Sequence, residues 1–325
     1  MAEVEPAVGR IAQIWRYPVK SMTGERITAS DVGPLGLHAD RMWAVRDLEL
    51  GATTGAKRLP ALLRCTARFT AEPPRGAGPA NAPEVVIALP CGEEVSSSDP
   101  SVHARLSEFV QREVRLCPLP PVSDRKQYRG PMLTRADARR MMGVDPGEPL
   151  PDISMFPVRK LAELSRYVTP VGSYADVYPV HLMTFASLRT MARRSPGTDF
   201  DVRRFRPTVV VEAVGDGEFP EWEWCGGTLV SPHAELTADV PTIRCVMPTL
   251  EQPGLPRDPE VTRSVSRHAR RCLGVYGTVG KPGRIAEGDR LELRPPRHRP
   301  VAEGAGARAR RLLVKAGNLA MPKGK

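Results

Sequence analysis

Over the first ninety residues, short runs rich in Val, Ile, Trp, Tyr and Thr alternate with turn residues. That pattern predicts short β-strands, around Arg10–Tyr17, Glu25–Val32, Arg41–Arg46, Leu62–Ala71 and Glu84–Leu89. Pro73–Pro83 is a Pro/Gly/Ala loop. Val102, Leu106, Phe109 and Val110 then recur at helical spacing after Asp99, predicting a helix capped by that aspartate. Residues 118–160 are proline-rich and aperiodic, an irregular connection with one short helix near Arg135–Met142. Further on, Thr184 is placed to cap a helix carrying Leu188 and Met191, which Ser195-Pro196-Gly197 ends. Pro207–Val211 predicts a buried strand, with further strands over Gly227–Ser231 and Ala234–Val246. Asp258 opens a helix reaching about Arg271, and two strands, Val275–Val279 and Arg284–Arg294, join around Lys281-Pro282-Gly283. Many short strands with few helices predict an α+β, mainly β chain built from barrels, not a doubly wound sheet.

Composition narrows the class. With 325 residues the chain suits two domains, and its 34 prolines and 28 glycines argue against a long-helix bundle. The net charge of +10 points first to nucleic acid. Residues 297–325, however, hold eight Lys or Arg against one acid, leaving 39 bases and 36 acids before them. The basic character belongs to a segment with no aromatic residue to stack on a base. We therefore expect a solvated, disordered tail at 297–325 and no nucleic-acid partner. No apolar run approaches a membrane span, and the first residues lack the basic start and hydrophobic stretch of a signal peptide. A cytoplasmic protein without membrane insertion is the expectation.

The six cysteines form no CxxC pair and the six histidines no HExxH, which removes zinc ribbons, common iron–sulfur ligand sets and zincins. Any metal is then held by one or two protein ligands or arrives inside a cofactor. GxGxxG, GxxxxGK[ST] and GxSxG are also absent, so common nucleotide folds and serine hydrolases lose support.

Polar clusters sit instead at strand and turn junctions: Tyr17-Pro18-Val19-Lys20-Ser21, Asp40-Arg41-Met42-Trp43, Thr184-Phe185-Ala186-Ser187-Leu188, Arg204-Phe205-Arg206-Pro207 and Ile243-Arg244-Cys245. Singly each has an ordinary reading. Lys20 and Arg41 can be solvated strand-end charges, Ser187 a helix-surface hydroxyl, Arg206 an ion-pair partner and Cys245 a small buried hydrophobe. In this order, with Lys57-Arg58-Leu59-Pro60 and Gly283-Arg284-Ile285-Ala286-Glu287-Gly288-Asp289, they resemble the MOSC family with its N-terminal β-barrel partner domain.

The resemblance implies an N-terminal barrel-like domain at 1–125, a connection at 126–160 and a MOSC β-barrel domain at 161–296. It also implies a molybdenum cofactor (Mo-molybdopterin) ligated by Cys245, whose soft thiolate suits molybdenum and which Arg244 would favour as the anion. Lys20, Ser21, Arg41, Arg206, Arg244 and Tyr276 match cofactor-binding positions, as do Thr184 and Ser187 at a helix start. In amidoxime-reducing members the segment after the cysteine runs close to Thr-Thr-Val-Asp-Pro, whereas here it is Val246-Met247-Pro248-Thr249-Leu250, and Phe185 replaces an acid. The implied activity is reduction of N-hydroxy or N-oxide substrates by oxygen-atom transfer, with electrons from a separate ferredoxin- or flavoprotein-type donor. A sulfur carrier using a persulfide on Cys245, or a non-enzymatic cofactor carrier, fits the same residues.

Overall fold

The computed structural model describes residues 7–145 and 147–296, and in the C-terminal segment 310–312, 314, 315, 317, 321 and 322. Chain order runs β1 (Ala7–Arg16), β2 (Glu25–Ile27), β3 (Ala29–Gly33), β4 (Gly36–Leu37), β5 (Trp43–Asp47), β6 (Ala52–Thr53), β7 (Thr66–Phe69), β8 (Val85–Ala88), β9 (Glu94–Ser96), α1 (Val102–Val110) and β10 (Val114–Pro118). The connection carries α2 (Arg135–Met142) and α3 (Val158–Leu164). The second half holds β11 (Val180–Thr184), α4 (Phe185–Arg194), β12 (Val209–Ala213), α5 (Pro220–Glu223), β13 (Thr228–Val230), β14 (Glu235–Ile243), α6 (Pro259–His268), β15 (Cys272–Lys281), β16 (Gly283–Ala286) and β17 (Arg290–Arg294). The chain is mainly β, as its pattern predicts.

Seven strands, in the order β12-β11-β15-β14-β13-β17-β1, form a barrel that closes where β1 pairs with β12. The closing strand comes from the opposite end of the chain. Ile11 lies opposite Val211 and Ile14 opposite Val209. Both isoleucines are buried in the barrel core with Leu182, Leu229, Leu236 and Leu291. Burying each contributes about 1.5–3 kcal/mol, which anchors β1 in the barrel. Conversely β16 leaves the barrel to pair with β3. The N-terminal part thus lends β1 to the barrel, and the C-terminal part lends β16 to β3.

The N-terminal half wraps small sheets around its own core, which includes Val19, Met22, Met42, Val45, Leu62, Ile87 and Leu106. Parallel bridges Val19–Trp43 and Thr23–Thr66 tie the turn after β1 to these sheets.

Local differences from the expected pattern have local causes. β11 is buried at all five positions, with Leu182 in the barrel core and Met183 against the α4–α6 layer, so it lacks the alternation that marks a half-buried strand. It pairs in parallel with β12, and α4 is the crossover that this requires. Ser101 takes the cap position of α1, while Asp99 accepts from the Ser101 N–H in a tight turn before it. Pro60 starts a 3₁₀ turn through Arg64, which delays the strand expected from Leu62 until Thr66. In the C-terminal segment the described residues 310–312, 314, 315 and 317 are helical. Arg310 donates to Ser154 O (3.2 Å), and Pro322 O accepts from the N–H of Arg135 in the first turn of α2. These described residues touch the body; the rest of that expectation, residues 297–309, 313, 316, 318–320 and 323–325, lies outside the described residues.

Candidate functional site

β1 ends at Arg16, and the next five residues fold back against the Asp40–Trp43 turn. Arg41 N–H donates to Tyr17 O (2.7 Å), Lys20 N–H to Trp43 O (2.8 Å), and Tyr17 N–H to Asp40 Oδ1 (2.8 Å). A Cβ on Gly24 would lie 2.2 Å from Arg16 O, so only glycine lets this turn close. Ser21, Arg41 and Arg206 all hold positive φ (67°, 53° and 54°), a conformation that costs non-glycine residues energy and concentrates at functional sites.

Two guanidinium groups lie over the Tyr17 ring, Arg206 4.3 Å and Arg41 4.9 Å from its centroid. Its hydroxyl donates to Pro207 O (3.0 Å). Arg206 Nη1 reaches across to Met22 O (2.7 Å), while its buried Nη2 has no partner. Burial pushes the Arg206 guanidinium down to about 10. Arg41 pairs with Asp40.

Beside this pair, Lys20 donates to Tyr174 O (2.9 Å) and pairs with Asp176, which also holds Lys57 at 3.0 Å. Burial works against the Asp176 carboxylate, but the two lysines outweigh it and keep the carboxyl well below its usual range. Gly55 packs on the Ser21 hydroxyl, and Ala56 belongs to the apolar cluster of Leu63, Met247 and Leu250 that Cys245 joins. The loop at 55–57 thus spans from the Lys20–Ser21 turn to the half-buried thiol.

Arg244, at the end of β14, donates to Phe205 O (2.8 Å) and meets His181 Nε2 at 3.3 Å; its buried Nε has no partner. Arginine can only donate, so Nε2 of His181 accepts and the ring proton sits on Nδ1, 3.5 Å from Arg206 O. Burial, reinforced by Arg244, holds His181 well below its ordinary pKa. Tyr276 on β15 is half-buried, stacked on Tyr178 (5.3 Å between centroids) and tilted to His181 (5.9 Å). Burial pushes its phenol up to about 12.

Thr184 and Ser187 require a correction. Both are fully buried, and their hydroxyls donate to Glu221 on α5 (2.7 Å from Thr184, 2.6 and 2.7 Å from Ser187). Thr184 also caps α4 by accepting from Ser187 N–H (3.1 Å). Burial raises the Glu221 carboxyl, against the lowering effect of these hydroxyls. The pair closes a buried polar knot between helices and offers a ligand no free hydroxyl.

The structure does gather Lys20, Ser21, Arg41, Arg206, Arg244, Cys245 and Tyr276 around one region. It adds Tyr17, Lys57, Asp176 and His181, which sequence reasoning left out. Tyr17 and Lys57 lie inside motifs already noted, but Asp176 and His181 carry no sequence signal that marks them. Five cations, Lys20, Arg41, Lys57, Arg206 and Arg244, face two carboxylates, Asp40 and Asp176. Such a surplus of buried positive charge, with two unpaired guanidinium nitrogens, fits an anionic ligand that completes the pairing. Among the described residues no group of three or more His, Cys, Asp or Glu could hold a metal, and no helix is long and apolar enough to cross a membrane.

A closed β-barrel that borrows its last strand from a smaller β domain, with a basic cradle where they meet, defines the architecture. Residues 8–95 match the MOSC N-terminal beta barrel domain and residues 170–292 the MOSC domain. The chain belongs to the MOSC family. It is 23% identical over 326 residues to mitochondrial amidoxime-reducing component 1 of Mus musculus, covering 88% of this chain and 82% of that protein. Among solved structures it is similar to the YUAD protein from Bacillus subtilis (TM-score 0.41, 13% identity, 88% of this chain and 95% of the other). YiiM from Geobacillus stearothermophilus is a further match (TM-score 0.30, 17% identity, 42% and 63% of the respective chains).

Proposed function

We propose that this protein binds a molybdenum cofactor in the basic cradle, with Cys245 as the protein ligand to the metal, and reduces N-oxygenated compounds. The observation that carries the reading is the pair of buried, unpartnered guanidinium nitrogens on Arg206 and Arg244, among surplus cations beside a half-buried thiol. The similarity to an amidoxime-reducing component supports the reaction class.

Arg206, Arg41 and Lys20 would hold the anionic phosphate of the pterin by charge-assisted hydrogen bonds. Arg206 Nη2 can donate without giving up its bond to Met22 O. Asp176 neutralises part of the lysine charge and fixes where Lys20 and Lys57 point. Met247 and Leu250, packed with Cys245, give the site an apolar wall where amidoxime-reducing relatives are polar, so less polar substrates fit best. Bound there, the cofactor supplies oxygen-atom transfer chemistry. For each N–OH converted to N–H, two electrons and two protons enter and one water leaves.

Metal and pterin analysis of protein made in a host with intact cofactor synthesis tests the proposal. About one molybdenum per chain, with viologen-driven reduction of an aromatic amidoxime or N-oxide, is the expected result. Metal-free protein carrying a cyanide-labile sulfur on Cys245 would replace it with a sulfur-transfer function.

A further inference from the structure

His181 stands on β11 directly opposite Tyr276 of β15, and its backbone is held at both polar groups. The N–H donates to Thr208 Oγ1 (2.8 Å), while the carbonyl accepts from Thr208 N–H (2.9 Å) and Thr208 Oγ1 (3.0 Å). Its ring is buried. Gly274 holds a φ of +82°, and a Cβ there would lie 2.5 Å from His181 Nε2, so glycine is what leaves the ring its place.

From that position the imidazole touches both arginines that keep an open nitrogen. Arg206 O, 3.5 Å from Nδ1, takes the ring proton, which leaves Nε2 to accept from Arg244 Nη1 (3.3 Å). Arg244 Nη2 donates to Phe205 O (2.8 Å). A guanidinium is planar, so two anchored nitrogens fix the direction of the third. That third nitrogen, Nε, is buried and has no partner among the described residues. Without His181, Arg244 would keep the Phe205 carbonyl and its contact with the Phe205 ring, and could swing about them. An imidazole serves as this anchor only while neutral, because an imidazolium has no acceptor. Burial and the charges of Arg244 and Arg41 keep it neutral, against the opposing pull of the Arg206 and Leu273 carbonyls.

We propose that His181 is a positioning residue of the basic cradle: as the neutral Nδ1–H imidazole it aims the open Nε–H of Arg244, so that the cradle is set for a tetrahedral oxyanion before any ligand arrives. A group ordered in advance loses less freedom on binding, and the ligand binds more tightly for it. That the oxyanion is the phosphate of a cofactor rests on the function proposed above; the setting of Arg244 by His181 does not.

The test titrates the purified, cofactor-free full chain with inorganic phosphate at neutral pH, read by calorimetry and by the arginine Nε–H NMR signals. His181→Leu should weaken phosphate binding about three- to tenfold, the factor by which Arg244 then deserts its binding pose. His181→Gln, whose amide offers Arg244 an acceptor, should recover part of that loss. Adding His181→Leu to Arg244→Met should cost no further affinity, since His181 acts through Arg244. A purely structural His181 predicts a lower Tm in His181→Leu with phosphate affinity per folded molecule unchanged, and that result would overturn the proposal, as would a wild-type chain that binds no phosphate. Should the leucine variant fail to fold, nitrogen NMR of the wild-type ring decides: Nδ1 protonated and Nε2 bare is expected, whereas the Nε2–H tautomer or an imidazolium refutes the positioning role. Weakened phosphate binding in His181→Leu, in a protein that carries no pterin even from a host with intact cofactor synthesis, would support the role of His181 and overturn the cofactor reading.

Discussion

Arg206 holds structure and ligand at once, and replacing it with methionine should separate the two. Arg206→Met keeps the apolar stem and removes the guanidinium. The folded protein then loses the charge-assisted bond to Met22 O, worth about 1.5–3 kcal/mol, and the Tyr17 contact, worth about 0.5–2 kcal/mol. Against this, it no longer buries a charged group whose pKa is pushed down to about 10 and whose Nη2 is unpaired. These offset in part, leaving a net loss of about 1–3 kcal/mol and a fall in Tm of roughly 3–10 °C. If Nη2 holds the pterin phosphate, affinity falls as well, by roughly one to two decades. Arg206→Lys retains the charge without the fork and should recover part of the affinity. Tm of cofactor-free protein reads the first effect; pterin per folded molecule, from its fluorescence after oxidation, reads the second. A lower Tm with unchanged pterin content would refute the binding role. Arg206→Glu is a poorer probe, because it sets a carboxylate against Met22 O and the electron-rich face of Tyr17.

Cys245→Ser should abolish viologen-driven turnover while serine at Cys65, Cys91, Cys117, Cys225 or Cys272 leaves most activity; full activity in Cys245→Ser removes the ligand assignment. Ser187→Ala leaves Glu221 short of a buried donor and should cost about 1–3 kcal/mol of stability, while pterin content per folded molecule stays unchanged. Loss of pterin from that variant would restore Ser187 to the binding site. His181 is held neutral when folded, whereas the unfolded chain takes up a proton near 6.5. Stability should therefore fall as pH drops below 6.5, by up to about 1.4 kcal/mol per pH unit from this group. His181→Gln should flatten that slope between pH 4 and 6.5 in denaturant titrations, and an unaltered slope would show that His181 already charges in the fold.

The mainly β character is legible along the chain, because short β-branched and aromatic runs between Pro and Gly turns leave few alternatives. The order of its polar motifs, through the family resemblance that they carry, also singled out Lys20, Arg41, Arg206, Arg244 and Cys245. What it left open depends on partners distant along the chain. β1 reads as an N-terminal strand, yet its hydrogen bonds go to β12 and β17, about 200 and 280 residues away, because only there do Ile11 and Ile14 meet a closed apolar interior. β11 was illegible because a strand buried on both faces has no alternation to read. Thr184 and Ser187 looked like ligand contacts at a helix start until the fold brought Glu221 against them and took up both hydroxyls. Asp176 shows the same limit from the other side: an ordinary loop acid by sequence, it becomes the shared partner of Lys20 and Lys57 only when the segment before β11 crosses the N-terminal turn. Local backbone preference is written in neighbouring residues, whereas the pairing of buried charges is decided by which distant segments the packed core brings together.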